Sequence, residues 1–185
     1  MAFVYYVASS LDGFIADAQG SLDWLLDIDP VGGPDTAAFM ESVGVQVMGS
    51  TTYSWLLEHE RLLDEPQRWQ EFFGAMPTVV LSTRDLPIPG GADIVVACGD
   101  IRSLLDRLRA LAGDRDIWIV GGGELAGQFL DAGALDRIEV TYAPVLLGAG
   151  APLLPRHVDA SRLHVREASH RGAFVHVVYD VVESI

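Results

Sequence analysis

No lysine occurs in this chain. All 12 basic residues are arginine, set against 26 Asp and Glu, for a formal charge of -14. The absence removes Schiff-base chemistry at a lysine amine and the lysine of a GxxxxGK[ST] phosphate loop. The shortage of positive charge argues against nucleic acid as a partner, because gripping a phosphate backbone needs a basic surface. It argues against an anionic membrane surface on the same ground. Cysteine is almost missing: Cys98 alone permits neither an internal disulfide nor a cysteine-cluster zinc site. His164, His170 and His176 match no zinc spacing, read as surface strand residues, and no metal site is expected. No apolar run approaches the ~20 residues of a membrane span. The first apolar stretch follows no Lys or Arg of the kind that opens a signal peptide. These absences predict an acidic, cytoplasmic protein that acts on a small molecule.

What is present is enough to build a core. Half of the 185 residues are hydrophobic and 21% are charged, which predicts one domain over 1–185. Short apolar runs read as strands at Phe3 to Ala8, Val45 to Met48, Thr78 to Ser82, Asp93 to Ala97, Ile117 to Val120, Arg137 to Val145, Leu163 to Ser169 and Ala173 to Val182. Between them, Ile101, Leu104, Leu105, Leu108 and Leu111 follow helical spacing, with Asp100 as N-cap and Gly113 as the stop. A second helix is expected from Glu124 to Ala132, and weaker ones over Thr36 to Val43, Thr52 to Glu58 and Arg68 to Ala75. The order predicts an α/β fold: a mixed, mostly parallel sheet flanked by helices, with a C-terminal antiparallel strand pair.

Chemistry concentrates where strands run into helices. Ile117-Trp-Ile-Val-Gly121-Gly122-Gly123-Glu124-Leu125 is a buried strand that meets three glycines and then a helix. Bare backbone lets a ligand approach, and the free N–H groups of a first helical turn suit a phosphate. The alternative is that the glycines only permit a tight crossing. It is not a GxGxxG fingerprint. Gly49-Ser50-Thr51-Thr52 repeats the strand-to-helix passage with hydroxyls in the first turn, and Leu81-Ser82-Thr83-Arg84 ends a strand in two hydroxyls and a cation. Three such strand ends together look like a dinucleotide crevice, since open α/β sheets bind ligands at that edge.

The succession SLDGFIAD, DW, VMGSTTY, VVLSTR, IWIVGGGELAGQFL and RIEVTYAPVLLGAGAPLL resembles the dihydrofolate-reductase-like superfamily. Within it the likeness is to the reductase domain of the bifunctional riboflavin-biosynthesis deaminase-reductase and its stand-alone relatives. The resemblance implies a reduced nicotinamide cofactor, usually NADPH, and often a cis peptide within the glycine turn. By position it sets Ala8 and Ile15 against the nicotinamide, Gly49 to Thr52 on one side of the phosphates, and Val120 with Gly121 to Leu125 on the other. Leu81 to Arg84 would surround the adenosine end. The family commonly carries Gly-Arg-x-Thr where this chain has Gly49-Ser50-Thr51-Thr52, so NADH stays open beside NADPH. Folate reductases place a buried carboxylate five residues after a Trp. Counting from Trp24 gives Asp29, the candidate proton donor, with Trp24 and Thr141 as substrate contacts; a solvated turn acid is the competing reading of Asp29. Asp12 is expected to shape a loop. Trp55, Trp69 and Trp118 read as core or interface residues. One cysteine cannot supply the zinc deaminase half. The expected activity is an NAD(P)H-dependent reductase resembling 5-amino-6-(5-phosphoribosylamino)uracil reductase or a dihydrofolate-reductase-like enzyme. A non-catalytic nucleotide-binding protein on the same fold is the alternative, and the last two strands suggest a homodimer.

Overall fold

The computed structural model describes residues 1–182. In chain order the elements are β1 (Phe3–Ser10), β2 (Phe14–Ala16), α1 (Asp23–Leu26), α2 (Thr36–Ser42), β3 (Val43–Gly49), α3 (Ser50–His59), α4 (Gln67–Phe73), β4 (Thr78–Leu81) and β5 (Ile94–Ala97). They continue with α5 (Leu105–Ala112), β6 (Asp116–Gly121), α6 (Gly123–Asp131), β7 (Arg137–Ala143), β8 (Ala151–Pro152), β9 (Leu163–Arg171) and β10 (Phe174–Val181).

One sheet runs in the order β5-β4-β3-β6-β1-β7-β10-β9. Its strands are parallel from β5 to β7 and antiparallel from β7 through β10 to β9. The N-terminal apolar run is therefore its centre. Alternation along the strands sorts side chains onto two faces. Tyr5, Val47, Val79, Ile117 and Ile119 pack with Leu108 of α5 and Phe129 of α6. Met48 and Val80 point the other way, onto Tyr53 and Leu57 of α3 and Trp69 of α4. Each fully buried aliphatic or aromatic side chain stabilises by about 1.5–3 kcal/mol. No described helix is long and apolar enough to cross a membrane.

The chain leaves β1, builds β3, β4 and β5 outward, then returns to insert β6 between β3 and β1. Carboxyl ends of neighbouring parallel strands meet there, at Gly49 and Gly121, which makes this edge the natural ligand crevice.

Several expected boundaries move. The helix expected directly after Asp100 begins as a 3-10 turn over Ile101–Ser103 before α5. Asp100 O takes both the Ser103 N–H at 3.0 Å and the Ser103 hydroxyl at 2.6 Å, which tightens that first turn. The strand expected to reach Val145 stops at Ala143, because Pro144 has no N–H for the ladder. The β2–β8 ribbon was not expected; two such short partners leave no periodic signal.

Candidate functional site

Gly49 is the N-cap of α3 and Gly122 the N-cap of α6, and neither cap carries a side-chain hydrogen bond. The first N–H groups of both helices are thus left for a ligand. Met48 pairs with Gly121 across β3 and β6, which brings the two caps side by side. A Cβ built on Gly49 would come no closer than 3.8 Å to its neighbour, the Gly121 carbonyl. One on Gly122 would meet only Ile15 Cδ1 at 3.7 Å. Space is open at both positions, and Ile15, expected against a nicotinamide, lies beside the turn. The Gly121–Gly122 peptide is cis.

The third glycine differs. A Cβ on Gly123 would run into the carbonyls of Pro152 and Leu153. Leu153 O is also held by the Tyr5 hydroxyl at 2.9 Å. Gly123 therefore lets two chain segments touch, and it contributes its N–H rather than room. Leu125, expected beside the cofactor, is buried in the core with Phe129, so its side chain is structural. Glu124 is exposed, and its carboxylate is engaged by Arg156 at 2.7 and 2.9 Å.

Arg84, on the loop after β4, reaches the first residue of α3. Its Nη2 donates to Ser50 Oγ at 3.3 Å. Ser82 Oγ accepts from Arg84 N and donates to Arg84 O, both at 2.9 Å, which fixes the turn. Thr83 and Thr51 are exposed beside it, while Leu81 and Thr52 are half-buried.

A cavity of about 580 Å³ lies over the sheet face of β1, β6 and β7, with Val120, next to Gly121, in its lining. Ala8, Val120 and Trp118 form its sheet wall, and residues 25–40 cover it with Leu25, Ile28 and Phe39. At its floor Thr141, 5% exposed, places Oγ1 3.1 Å from His176 Nδ1. Burial raises the Tyr6 phenol above its ordinary value, with its hydrogen-bond partner Thr141 acting in the opposite sense. Burial lowers His176, opposed by the charges of Glu139 and Glu167. The polar floor is thus the Thr141–His176 pair beside Tyr6, with Glu139 Oε2 3.8 Å from His176 Nε2 and Glu139 Oε1 2.7 Å from Arg137 Nε.

Thr141 lies on this cavity as expected, but the other two substrate-side residues do not. Asp29 is exposed, and its carboxylate accepts from Val31 N at 2.9 Å, closing its own turn. The helix preceding it, α1, ends at Leu26, so the chain is already turning towards Pro30 when it reaches position 29. Trp24 is half-buried outside the cavity lining, with its indole N–H lacking an acceptor among the described residues. Trp118, expected in the core or an interface, lines the cavity, and His176, expected on the surface, backs Thr141 beneath it. Period-two reading would have found His176, which alternates with buried Phe174 and Val178 on β10.

Asp12 ties the loop after β1 to the loop after β7. It accepts from the Ser10 hydroxyl at 2.6 Å and from Gly148 N at 2.7 Å, with Leu147 N at 3.1 Å. These donors, Ser10 first, hold its carboxyl at about 2. No group of His, Cys, Asp and Glu among the described residues is arranged to hold a metal ion.

A mostly parallel sheet, an antiparallel strand pair at one end and a glycine crevice at the switch in strand order define the dihydrofolate-reductase-like fold. Dihydrofolate reductase from Enterococcus faecalis, complexed with NADP(H), shares it with a TM-score of 0.61 at 14% identity, over 98% of this chain and 97% of that one. Residues 3–178 match the RibD C-terminal domain, and the chain belongs to that family. Its relatives include YwjB of Bacillus subtilis, an uncharacterized protein that is 31% identical over 180 residues, covering 95% of each chain. A crystal structure from Shewanella sp. PV-4, described as a candidate riboflavin biosynthesis protein, has a TM-score of 0.78 at 29% identity over 99% of this chain and all of its own.

Proposed function

We propose that this chain is an NAD(P)H-dependent reductase, resembling the 5-amino-6-(5-phosphoribosylamino)uracil reductase of riboflavin biosynthesis or a dihydrofolate-reductase-like enzyme. The observation that carries the reading is the pair of glycine-capped helix N-termini, α3 and α6, set side by side with Arg84 at one end. A Cβ at Gly49 or Gly122 would project into open space, so the residues present fit a diphosphate. The N–H groups at Ser50 to Thr52 and Gly122 to Glu124 would hold it, and each charge-assisted hydrogen bond contributes about 1.5–3 kcal/mol. Arg84 with Ser82 supports the phosphorylated form, NADPH, over NADH. When bound, the nucleotide supplies a hydride.

The chain's own work is positioning and exclusion of water. Ala8 and Val120 present an apolar wall in the cavity, and Ile15 lies beside Gly122. Thr141 Oγ1 and the Tyr6 hydroxyl offer the substrate's polar edge a donor and an acceptor. With Asp29 committed to its own turn, protons reach this floor through the Thr141 Oγ1–His176 Nδ1 contact or a water.

A nicotinamide titration followed by fluorescence tests the reading. Wild-type protein is expected to bind NADPH, and Gly122→Val to lose binding while staying folded. Equal affinity in the two proteins would remove the crevice as the site. Binding without oxidation of the nucleotide, across pyrimidine, pterin and quinone acceptors, would favour the non-catalytic reading. The same proposal puts the protein in the cytoplasm, as a homodimer through β9 and β10, where Val165 and Val175 are exposed. A monomeric mass by light scattering would remove the dimer.

A further inference from the structure

We infer that the substrate side of this site takes a flat, uncharged heterocycle bearing no phosphate, because its cavity offers aromatic walls and a hydroxyl floor but no cation. The inference rests on the reductase reading and names the substrate class for that site. Tyr6, Phe39 and Trp118 pack on one another as a continuous aromatic surface in the cavity lining, with centroids 4.3 Å apart for Tyr6–Phe39 and 5.5 Å apart for Phe39–Trp118, the latter edge to face. Such walls suit a planar ring. Three hydroxyl side chains, on Tyr6, Thr36 and Thr141, line the cavity and are available to its edge.

Charge excludes the other half of a sugar-phosphate substrate. The first basic side chain in the sequence is Arg61, so the segment covering the cavity brings only acids: Asp27, Asp29 and Asp35. The Asp35 and Glu139 charges both act on the Tyr6 phenol. Arg171, whose charge acts on His176, has its guanidinium turned to Ser169 Oγ at 3.1 Å and Glu167 Oε1 at 3.4 Å. Arg84 is on the crevice, at Ser50. The protein therefore displays an anion site and its opposite side by side. Where a phosphate is to be held there are helix N-termini and an arginine; the cavity lining carries no charged side chain, and Glu139 beneath it is already paired with Arg137 at 2.7 Å, so a phosphate there would be desolvated without a counter-charge.

The test uses the full chain saturated with NADP⁺ and a matched pair of ligands, 5-amino-6-ribitylaminouracil and its 5′-phosphate, followed by calorimetry and tryptophan fluorescence. The phosphate-free compound is expected to bind at least about tenfold tighter, with an affinity that does not change between low and high salt. Equal or tighter binding of the phosphate ester overturns the inference, and so does failure of both compounds to bind. Leu26→Arg gives a second arm. Leu26 is 57% exposed on the cavity rim, so the substitution leaves the core untouched. It is expected to raise affinity for the phosphate ester and not for its parent; an equal change in both overturns the inference. The underlying reading fails separately, through absence of NADPH binding in a titration without the second ligand.

Discussion

The crevice and the cavity share one sheet edge but are made of different material. In the crevice the working groups are main-chain N–H donors at Gly49–Ser50 and Gly122–Gly123, each contributed by a strand and helix that are consecutive in sequence. In the cavity they are side chains drawn from β1, the 25–40 segment, β6, β7 and β10. A site of backbone groups needs only small residues and the right local turn. A site of side chains needs distant segments to arrive in register, and the Thr141–His176 contact spans 35 positions. The difference separates what a substitution is expected to break: the fold and the proposed nucleotide site on one side, the floor of the proposed substrate cavity on the other.

The sharpest way to test that division is within the glycine turn. Gly123→Ala drives a Cβ into the Pro152 and Leu153 carbonyls and is expected to destabilise by about 3 kcal/mol. Urea unfolding reads this as a lower midpoint. An unchanged midpoint would mean that the 152–153 segment gives way and that the third glycine is not a packing residue.

Gly122→Val should do the reverse. Stability stays near that of the parent, since the new Cβ finds ordinary contact distance to Ile15, while NADPH affinity falls by about a hundredfold as two charged hydrogen bonds are blocked. Loss of stability with affinity kept would exchange the roles given to the two glycines. On the cavity side, Thr141→Val strips the partner from His176 Nδ1 and is expected to cost about 1–2 kcal/mol without changing NADPH affinity. A matching loss of NADPH affinity would erase the boundary between the two regions.

Smaller effects sharpen the ends. Arg84→Ala is expected to weaken NADPH by about tenfold and NADH by less, the exposed position limiting the effect. Equal weakening in parallel titrations would move Arg84 from the 2′-phosphate to the diphosphate. The smallest change at neutral pH is expected for Asp12→Asn. Because the folded Asp12 carboxyl titrates at about 2, below its ordinary 3.8, its stabilisation is complete above 3.8 and lost as pH falls towards 2. The variant should lack that acid-sensitive part, and superimposable acid-unfolding curves would refute it.

Sequence made the crevice readable because strand, glycine and helix follow one another without a gap. The sheet order followed from apolar runs alternating with helical spacing, and the antiparallel end from the closing pair of strands. What escaped depends on distance. Gly123 looks identical to its two neighbours until Pro152 and Leu153 fold against it. Asp29 was placed by counting from a Trp, and the count fails because α1 is only four residues long and a turn consumes the carboxylate. His176 sits among exposed residues on β9 and β10, so only its alternation with Phe174 and Val178 betrays the inward side.

Arg156 lies flat across Gly127 of α6, where any Cβ would strike its guanidinium. It spans Glu124 at the start of the helix and Asp131 at its end, with Nε 2.8 Å from Asp131 Oδ2. Glu124 is the acid nearest in sequence to the glycine turn proposed to hold a diphosphate, and without a counter-ion it would repel such a ligand at short range. With its charge answered locally, a protein so rich in acids can still receive an anionic guest, because salt screens carboxylates farther away than about 8 Å. The arginine thereby serves the neighbouring turn without touching what binds there, and its small platform explains why α6 has a glycine at mid-length, where an alanine would otherwise make the better helix.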